Sequence, residues 1–316
     1  MISVIIPVKN GAQTLGKCLR TIRNQTITSI EIIVLDSMST DKSKEIALSY
    51  NAEVIDVPAG TFNHGLTRNE GVKYCKGDLI FFTVQDAFIA ENNMLERMSA
   101  HFTDKSVMAV VGHQGIPHEL DKNPSVWFKR MTKPTPETRY FPTNTFVQLP
   151  KNKQVDLSRW DNVVAMYRKE ALIDLPFQKT NFCEDCLWAN MALNKGYKII
   201  SDSSLLVYHY HHLTFNYFFK TTFIVNYYFL QFFDYSPQYP RVIFPFLSRI
   251  NTLRKNKQVT LSQKIYWIGH NTTSLFGAWL SVFVFKFFLF FFGKNGLDNL
   301  YKIVCKTVPQ GMQKNI

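Results

Sequence analysis

The first 90 residues of this 316-residue chain alternate between short apolar runs and longer segments with helical periodicity. The apolar runs are SVIIPV (3–8), IEIIVLD (30–36), AEVIDV (52–57) and DLIFFTVQD (78–86). Strands that are apolar throughout and separated by helices are typical of a parallel sheet covered by helices on both faces. The sequence therefore predicts an α/β domain with a Rossmann-like sheet.

A sheet of this kind binds its ligands in the crevice beyond the carboxyl ends of its strands. Candidate ligand-binding residues follow or close each predicted strand: Pro7, Val8 and Asn10 at the first, Asp36 at the second, His64 and Arg68 after the third, and Gln85 and Asp86 at the fourth. We expect them to share one edge of the sheet.

The stretch FNHGLTRNEG (62–71) places His64 and Arg68 near the start of a predicted helix. A phosphate group there would gain from both the arginine charge and the helix dipole. A solvated arginine on the helix surface is the alternative, but three other polar strand ends converge on the same edge. We therefore predict that Arg68 faces a phosphate-bearing ligand.

Asp36 and Asp86 are the carboxylates of this edge. Asp36 can accept hydrogen bonds from ribose hydroxyls or a base N–H, although an aspartate after a strand is often only a turn residue. Asp86 is a candidate ligand for Mg²⁺ or Mn²⁺ bridging two phosphates. One carboxylate is a poor metal site, so we expect further ligands from His209 and His211, whose i, i+2 spacing on a strand would point them the same way.

Glu184 and Asp185 open a predicted helix that ends at Gly196. The helix dipole stabilises their charged forms, and one of them is a candidate general base for a hydroxyl group. Capping of the helix is the alternative role. The neighbouring Cys183 and Cys186 form a C-x-x-C without a second pair nearby, which disfavours zinc and redox functions. Five cysteines in all, and no signal-peptide pattern, indicate a reducing cytosolic setting.

Basic and aromatic residues are concentrated in the C-terminal third. Residues 213–316 contain 12 Lys and Arg, 2 Asp and Glu, and 17 of the chain's 27 phenylalanines. This mixture suits an anionic membrane surface better than nucleic acid, because no nucleic-acid-binding module accompanies the charge. We expect a catalytic domain over residues 1–212, with an irregular proline-containing insertion near 100–160, and a mainly helical region for membrane association or oligomerisation over residues 213–316.

Within that region, LFGAWLSVFVFKFFLFFF (275–292) is apolar except for Lys286. Its 18 residues are about the minimum for a membrane span. A helix lying in the membrane interface and a helix buried in a homo-oligomer are the alternatives. Residues 215–233 have the same aromatic character and are predicted to form a second helix.

Together and in this order, the motifs resemble a family 2 inverting glycosyltransferase of the GT-A fold. The matching pieces, within residues 1–212, are SVIIPVKN, EIIVLDSMSTDKS, TRNEGVKYCKGDLIFF, Asp86 and EDCLWA. Further segments are similar to rhamnosyltransferases that use dTDP-rhamnose: FNHGLTRNEG, TVQDA, WDNVVAMYRKEAL followed by LPF, GYKI and VYHYHH.

The resemblance implies that Asp36 contacts the nucleoside, Arg68 the diphosphate and Asp86 the metal. It implies that Asp185 is the base and that Glu184 supports it. The expected reaction is transfer of a sugar, with inversion, from a nucleotide sugar to a saccharide or lipid-linked saccharide, in cell-surface polysaccharide assembly at the inner face of the membrane.

Two departures from the family pattern matter. TVQDA lacks the first acidic residue of the commoner D-x-D, so the metal site is thinner than usual. No Q-x-x-R-W is present, which favours single addition over polymerisation. A UDP-hexose or UDP-N-acetylhexosamine donor is an alternative, and so is a non-catalytic membrane-associated scaffold.

Overall fold

The structure, a computed structural model, describes residues 1–128, 135–212 and 214–305. The chain divides into two compact units, the first formed by Met1–Gly115 and Lys129–Tyr210, the second by Ile116–Phe128 and His211–Ile316. The domain division predicted at residue 212 stays a prediction. Part of the predicted insertion, residues 129–134, lies outside the described residues, as do residue 213 and the last eleven residues, 306–316, of the predicted C-terminal region.

The described part of the first unit contains these strands: β1 (Ile2–Val8), β2 (Ile30–Asp36), β3 (Glu53–Asp56), β4 (Leu79–Phe82), β5 (Phe88–Ile89), β6 (Val107–Gly115), β7 (Glu137–Arg139), β8 (Ala165–Arg168) and β9 (Lys198–Tyr208). Its helices are α1 (Leu15–Arg23), α2 (Ser43–Ser49), α3 (His64–Val72), α4 (Met94–Ala100), α5 (Lys151–Leu157), α6 (Lys169–Asp174) and α7 (Glu184–Lys195). The strand and helix alternation predicted for the first 90 residues is confirmed.

These strands form one sheet in the order β3-β2-β1-β4-β8-β6-β9-β5, with β7 paired to β9. Strands β1 to β4 pair in parallel, as predicted. β8 is antiparallel to both of its neighbours, β4 and β6, so the whole sheet is mixed. The expectation of an irregular segment near 100–160 was wrong at β6, because the apolar run VMAVVG continues the sheet there.

Both faces of the sheet are buried, which explains why the strands are apolar throughout. In β1, Val4 and Ile6 belong to one core with Leu19 of α1, whereas the intervening Ile5 belongs to the other core with Trp188 of α7. Successive side chains of a strand point to opposite faces, so each face needs its own apolar set. Because both faces are covered, polar ligands have access only at the strand ends.

The second unit is helical in its described part. It contains a 3₁₀ turn at Pro124–Val126 and the helices α8 (Phe215–Phe233), α9 (Ile243–Lys255) and α10 (Leu261–Val304), the last broken at Gly293, whose φ is +62°. The helix predicted over residues 215–233 is confirmed as α8, and residues 275–292 lie within α10. Helix α8 packs against α10.

Helix α10 is long and apolar enough to cross a membrane, as judged by length and composition. Its best 18-residue window has a mean hydropathy of 2.1, and 22% of that window is buried inside the structure. The start of α10 has a capping box, in which the Thr260 side chain accepts from the Gln263 backbone and the Gln263 side chain accepts from the Thr260 backbone.

Candidate active site

The loops after β1 and β2 are tied together at the carboxyl end of the sheet. Val8 pairs with Asp36 in the parallel register, and Pro7 pairs with Leu35. Beyond the strands, the Asn10 side chain accepts a hydrogen bond from the Thr40 backbone at 2.9 Å. These contacts place Pro7, Val8, Asn10 and Asp36 on one edge, as expected, and their role in donor binding stays a prediction.

Asp36 is fully buried at the end of β2. Its Oδ2 accepts from the Ser39 backbone N–H at 2.9 Å and lies 3.7 Å from the Lys44 ammonium. Among the described residues, Asp36 Oδ1 has no hydrogen-bond partner. A buried carboxylate oxygen without a donor is costly, so this atom is a candidate acceptor for a ligand.

Gln85 lies next to the loop after β1. Its Oε1 accepts from the Lys9 backbone N–H at 2.9 Å, and its Nε2 donates to the Lys9 carbonyl at 3.3 Å. A Cβ atom at Gly11 would lie 2.5 Å from Gln85 Oε1, so the glycine makes room for this side chain. Gln85 therefore holds the loop in place, and its predicted contact with the donor stays a prediction.

Arg68 lies in the middle of α3 and is buried, with 3% of its surface exposed. Its guanidinium donates to the Glu184 carboxylate at 2.5 Å and to the His64 carbonyl at 3.3 Å. Glu184 is itself buried at the first position of α7. The structure thus joins the helix predicted to bind phosphate to the helix predicted to carry the base, a pairing that sequence reasoning missed.

His64 is the first residue of α3. The helix is capped by Asn63, whose side chain accepts from the Leu66 backbone N–H at 3.1 Å and donates to the Thr180 carbonyl at 2.8 Å. The His64 ring packs edge-on against Phe62, with 4.7 Å between the ring centroids. The predicted roles of His64 and Arg68 towards a phosphate group stay predictions.

Asp185 lies at the second position of α7, directly after the helix start. Its two carboxylate oxygens accept from the Cys186 backbone N–H at 2.8 Å and from the Asn162 backbone N–H at 3.3 Å. Burial raises the pKa of the Asp185 carboxyl well above its usual value, and the nearby Glu184 and Asp161 carboxylates add to this effect. A carboxylate with a raised pKa is a better proton acceptor at neutral pH.

The backbone N–H that contacts Asp185 belongs to a loop held by a buried chain of hydrogen bonds. The indole of Trp160 donates to the Tyr167 hydroxyl at 2.7 Å, and that hydroxyl donates to the Asn162 side chain at 2.6 Å. Sequence reasoning used this WDN string only as part of a resemblance. In this string Asp161 and Asn162 directly follow Trp160, and this combination is the signal that could have identified the loop as part of the site.

Asp86 and His209 lie together near the ends of β4 and β9. Asp86 Oδ1 is 3.4 Å from His209 Nε2. Strand β9 ends at Tyr208, so the prediction that His209 and His211 lie on a strand was wrong. His211 is the first residue of the second unit. The metal roles of Asp86, His209 and His211 stay predictions.

The fold is that of the GT-A glycosyltransferases. The solved structure of the mannosyltransferase PcManGT from Pyrobaculum calidifontis, in complex with GDP-Man and Mn²⁺, matches 99% of this chain and 82% of its own, with a TM-score of 0.52 and 13% sequence identity. At this identity the likeness concerns the fold alone.

Sequence comparison places the chain within this class. Residues 3–175 match the family model of glycosyl transferase family 2. The O-antigen chain rhamnosyltransferase WbaN of Salmonella anatum is 32% identical over 217 residues, which cover 67% of each chain. The O-antigen chain rhamnosyltransferase RfbN of Salmonella typhimurium is 31% identical over 218 residues, with the same coverage. This chain belongs to glycosyl transferase family 2 and is a glycosyltransferase.

Proposed function

We propose that this glycosyltransferase moves L-rhamnose from dTDP-rhamnose to a hydroxyl group of a saccharide acceptor, with inversion at the anomeric carbon, in the synthesis of a cell-surface polysaccharide. The observation that carries the proposal is the position and environment of Asp185. This partly buried carboxylate has a raised pKa and accepts from the Asn162 backbone, in the loop before β8, at the carboxyl end of β4. The similarity to two O-antigen chain rhamnosyltransferases supports the choice of sugar.

In this proposal Asp185 is the general base. It takes the proton from the acceptor hydroxyl, which attacks the anomeric carbon from the face opposite the leaving nucleoside diphosphate. The hydrogen bonds from the Cys186 and Asn162 backbones orient the carboxylate. The Arg68–Glu184 pair fixes the start of the helix that presents it.

The donor binds at the ends of β1, β2 and β4. The unpaired Oδ1 of Asp36 accepts from the nucleoside, and Arg68, whose Nε has no hydrogen-bond partner among the described residues, stabilises the diphosphate. Asp86 and His209, which lie together in the first unit, are the residues that would hold Mg²⁺ or Mn²⁺. Asp86 Oδ1 and His209 Nε2 are 3.4 Å apart, close enough for both to contact one divalent cation. A bound divalent cation neutralises charge on the leaving diphosphate.

The donor assignment is tested by release of nucleoside diphosphate from a panel of nucleotide sugars, each with Mg²⁺, Mn²⁺ or chelator. We expect selective turnover of dTDP-rhamnose that chelator abolishes. Turnover of a UDP-hexose or UDP-N-acetylhexosamine alone would overturn the rhamnose assignment and keep the mechanism. Absence of both turnover and donor binding would favour the non-catalytic scaffold.

The base assignment is tested by Asp185→Asn, which keeps the shape of the side chain. We expect the variant to lose transfer and to bind the donor normally, because the base acts only on the acceptor. The exposed Asp156→Asn is the matched control and should keep full activity. Near-normal turnover by Asp185→Asn would show that another group takes the proton.

We also propose that the second unit binds an anionic membrane surface, where a lipid-linked acceptor would lie. Helices α9 and α10 carry several bulky apolar side chains that are exposed in the structure, among them Phe244 at 78% and Phe290 at 82%. Lys286, the single charge in the apolar stretch, lies 4.9 Å from the ring centroid of Tyr239. An exposed aromatic surface with basic residues is typical of interfacial binding.

Flotation with liposomes tests this proposal. We expect the protein to float with vesicles that contain anionic lipid, and the double variant Phe290→Ser, Phe291→Ser to float less. Ile173→Ser, which removes an apolar side chain exposed to 67% on the first unit, is the matched control. A wild-type protein that stays with the soluble fraction at low salt would overturn membrane binding.

A further inference from the structure

A series of polar contacts within the first unit begins at two of the proposed metal ligands, Asp86 and His209. His209 Nε2 faces Asp86, and His209 Nδ1 lies 2.7 Å from the side-chain oxygen of Gln114. The Nε2 amide group of Gln114 donates to Oδ2 of Asp161. Oδ1 of the same carboxylate accepts from the Val163 backbone N–H at 2.9 Å.

These hydrogen bonds determine which nitrogen of His209 carries the proton. An ionised carboxylate can only accept hydrogen bonds, so Asp161 requires the NH₂ group of Gln114 to point towards it. The Gln114 side-chain oxygen must then point towards His209, where it can only accept. His209 therefore donates from Nδ1, and in the neutral ring the lone pair is on Nε2, the atom that faces Asp86.

We propose that Gln114 and Asp161 are positioning residues that hold His209 in the Nδ1–H tautomer and so keep Nε2 available for a divalent cation. This inference rests on the proposed metal site. A hydrogen bond to the second ring nitrogen orients a metal-binding histidine and raises its basicity as a ligand. The same loop donates from Asn162 to Asp185, so it contacts both halves of the proposed site.

Asp161→Ala should change the hydrogen bond that Gln114 makes to His209. Without the carboxylate, the Gln114 amide is free to turn and to donate its NH₂ group to His209 Nδ1. That contact would stabilise the opposite tautomer, whose proton on Nε2 blocks the cation. Asp161→Ala should therefore weaken metal binding at least as much as Gln114→Leu, although Asp161 does not touch His209.

Binding of Mn²⁺ to the full-length, detergent-supported protein, followed by the electron paramagnetic resonance signal of free Mn²⁺, is the first measurement. Loss of an orienting partner costs about 10–100-fold in metal affinity, and we expect a loss in this range for Gln114→Leu. The double variant Gln114→Leu, Asp161→Ala should bind Mn²⁺ like Gln114→Leu alone, because Asp161 acts through the amide. An additional loss in the double variant would mean that Asp161 acts by its charge, and would overturn its assigned role.

The tautomer is read directly by ¹⁵N NMR of histidine-labelled protein without metal, with the His209 signal assigned from its absence in His209→Ala. We expect Nδ1–H in the wild type and Nε2–H in Asp161→Ala. The same tautomer in both proteins would overturn the inference. His209→Ala also separates the two proposals. If His209→Ala leaves the Mn²⁺ affinity unchanged, the proposed metal site is wrong. If His209→Ala lowers the Mn²⁺ affinity and Gln114→Leu does not, only the positioning role is refuted.

Discussion

The buried ion pair between Arg68 and Glu184 has an exposed counterpart at the C-terminal end of α3. Arg68 and Glu184 are 2.5 Å apart, with side chains 3% and 9% exposed. Lys73 and Glu70 are 2.6 Å apart, with side chains 70% and 53% exposed. The two pairs have nearly the same length and differ in burial, so substitutions in each isolate the effect of desolvation.

Arg68→Met removes the charge, keeps most of the volume and leaves the Glu184 carboxylate buried without its partner. Breaking a buried pair in this way costs roughly 3–5 kcal/mol. An exposed pair contributes ~0–1 kcal/mol, so Lys73→Met should cost little. For a unit of this size, 1 kcal/mol shifts Tm by about 2–4 °C, which predicts a drop of roughly 6–20 °C for Arg68→Met and at most about 4 °C for Lys73→Met.

The assay is thermal unfolding followed by circular dichroism in the same detergent for all variants. The double variant Arg68→Met, Glu184→Gln should recover part of the loss, because no uncompensated charge is left. A Tm for Arg68→Met within about 4 °C of the wild type would refute the reasoning, since that is the range of an exposed pair. A double variant no more stable than Arg68→Met would show that packing, and not charge, explains the loss.

Three further predictions concern single groups. Gly112→Ala would place a Cβ atom against the Leu205 carbonyl oxygen, so we expect thermal unfolding to show a free energy of unfolding lower by about 1–3 kcal/mol. Gly269→Ala is the control: this glycine has open space around it, so the substitution should be neutral or stabilising. Because the pKa of Asp185 is raised, we expect kcat/KM to fall, as the pH is lowered, with a midpoint well above pH ~4, the ordinary pKa of an aspartate. An acidic limb of the pH profile with its midpoint at ~4 would contradict this prediction. The same raised pKa favours the protonated carboxyl in the folded state, so the stability that this group contributes is present below pH ~4 and is lost as the pH rises. Asp185→Asn should therefore raise Tm at pH 7. This gain in Tm should shrink as the pH is lowered towards ~4.

Much of the parallel half of the sheet could be predicted from the sequence. The apolar runs became β1 to β4, and the helix predicted at residues 215–233 became α8. These signals are local, since they depend on the spacing of apolar residues within a single segment. The rule that ligands bind beyond the carboxyl ends of parallel strands also placed Asp36 at the end of β2 and Asp86 in the turn after β4, because it requires only that neighbouring strands run parallel.

The prediction failed where the structure depends on partners distant in sequence. The run VMAVVG was assigned to an irregular insertion because many prolines follow it, yet as β6 it pairs with β8 and β9. With β6 unassigned, Gln114 at its end was not recognised as a candidate. The rule that ligands bind beyond the carboxyl ends of strands can identify only residues at the ends of strands that have been predicted.

The sequence by itself determined the family, the alternation of strands and helices, and the residue types available at the carboxyl edge. Only the tertiary structure decided which of those residues meet. It paired Arg68 with Glu184 across 116 positions of chain and placed Gln114 between His209 and Asp161. The physical reason is that periodicity records which face of an element is buried, whereas the partner of a buried charge or amide depends on how separate elements pack.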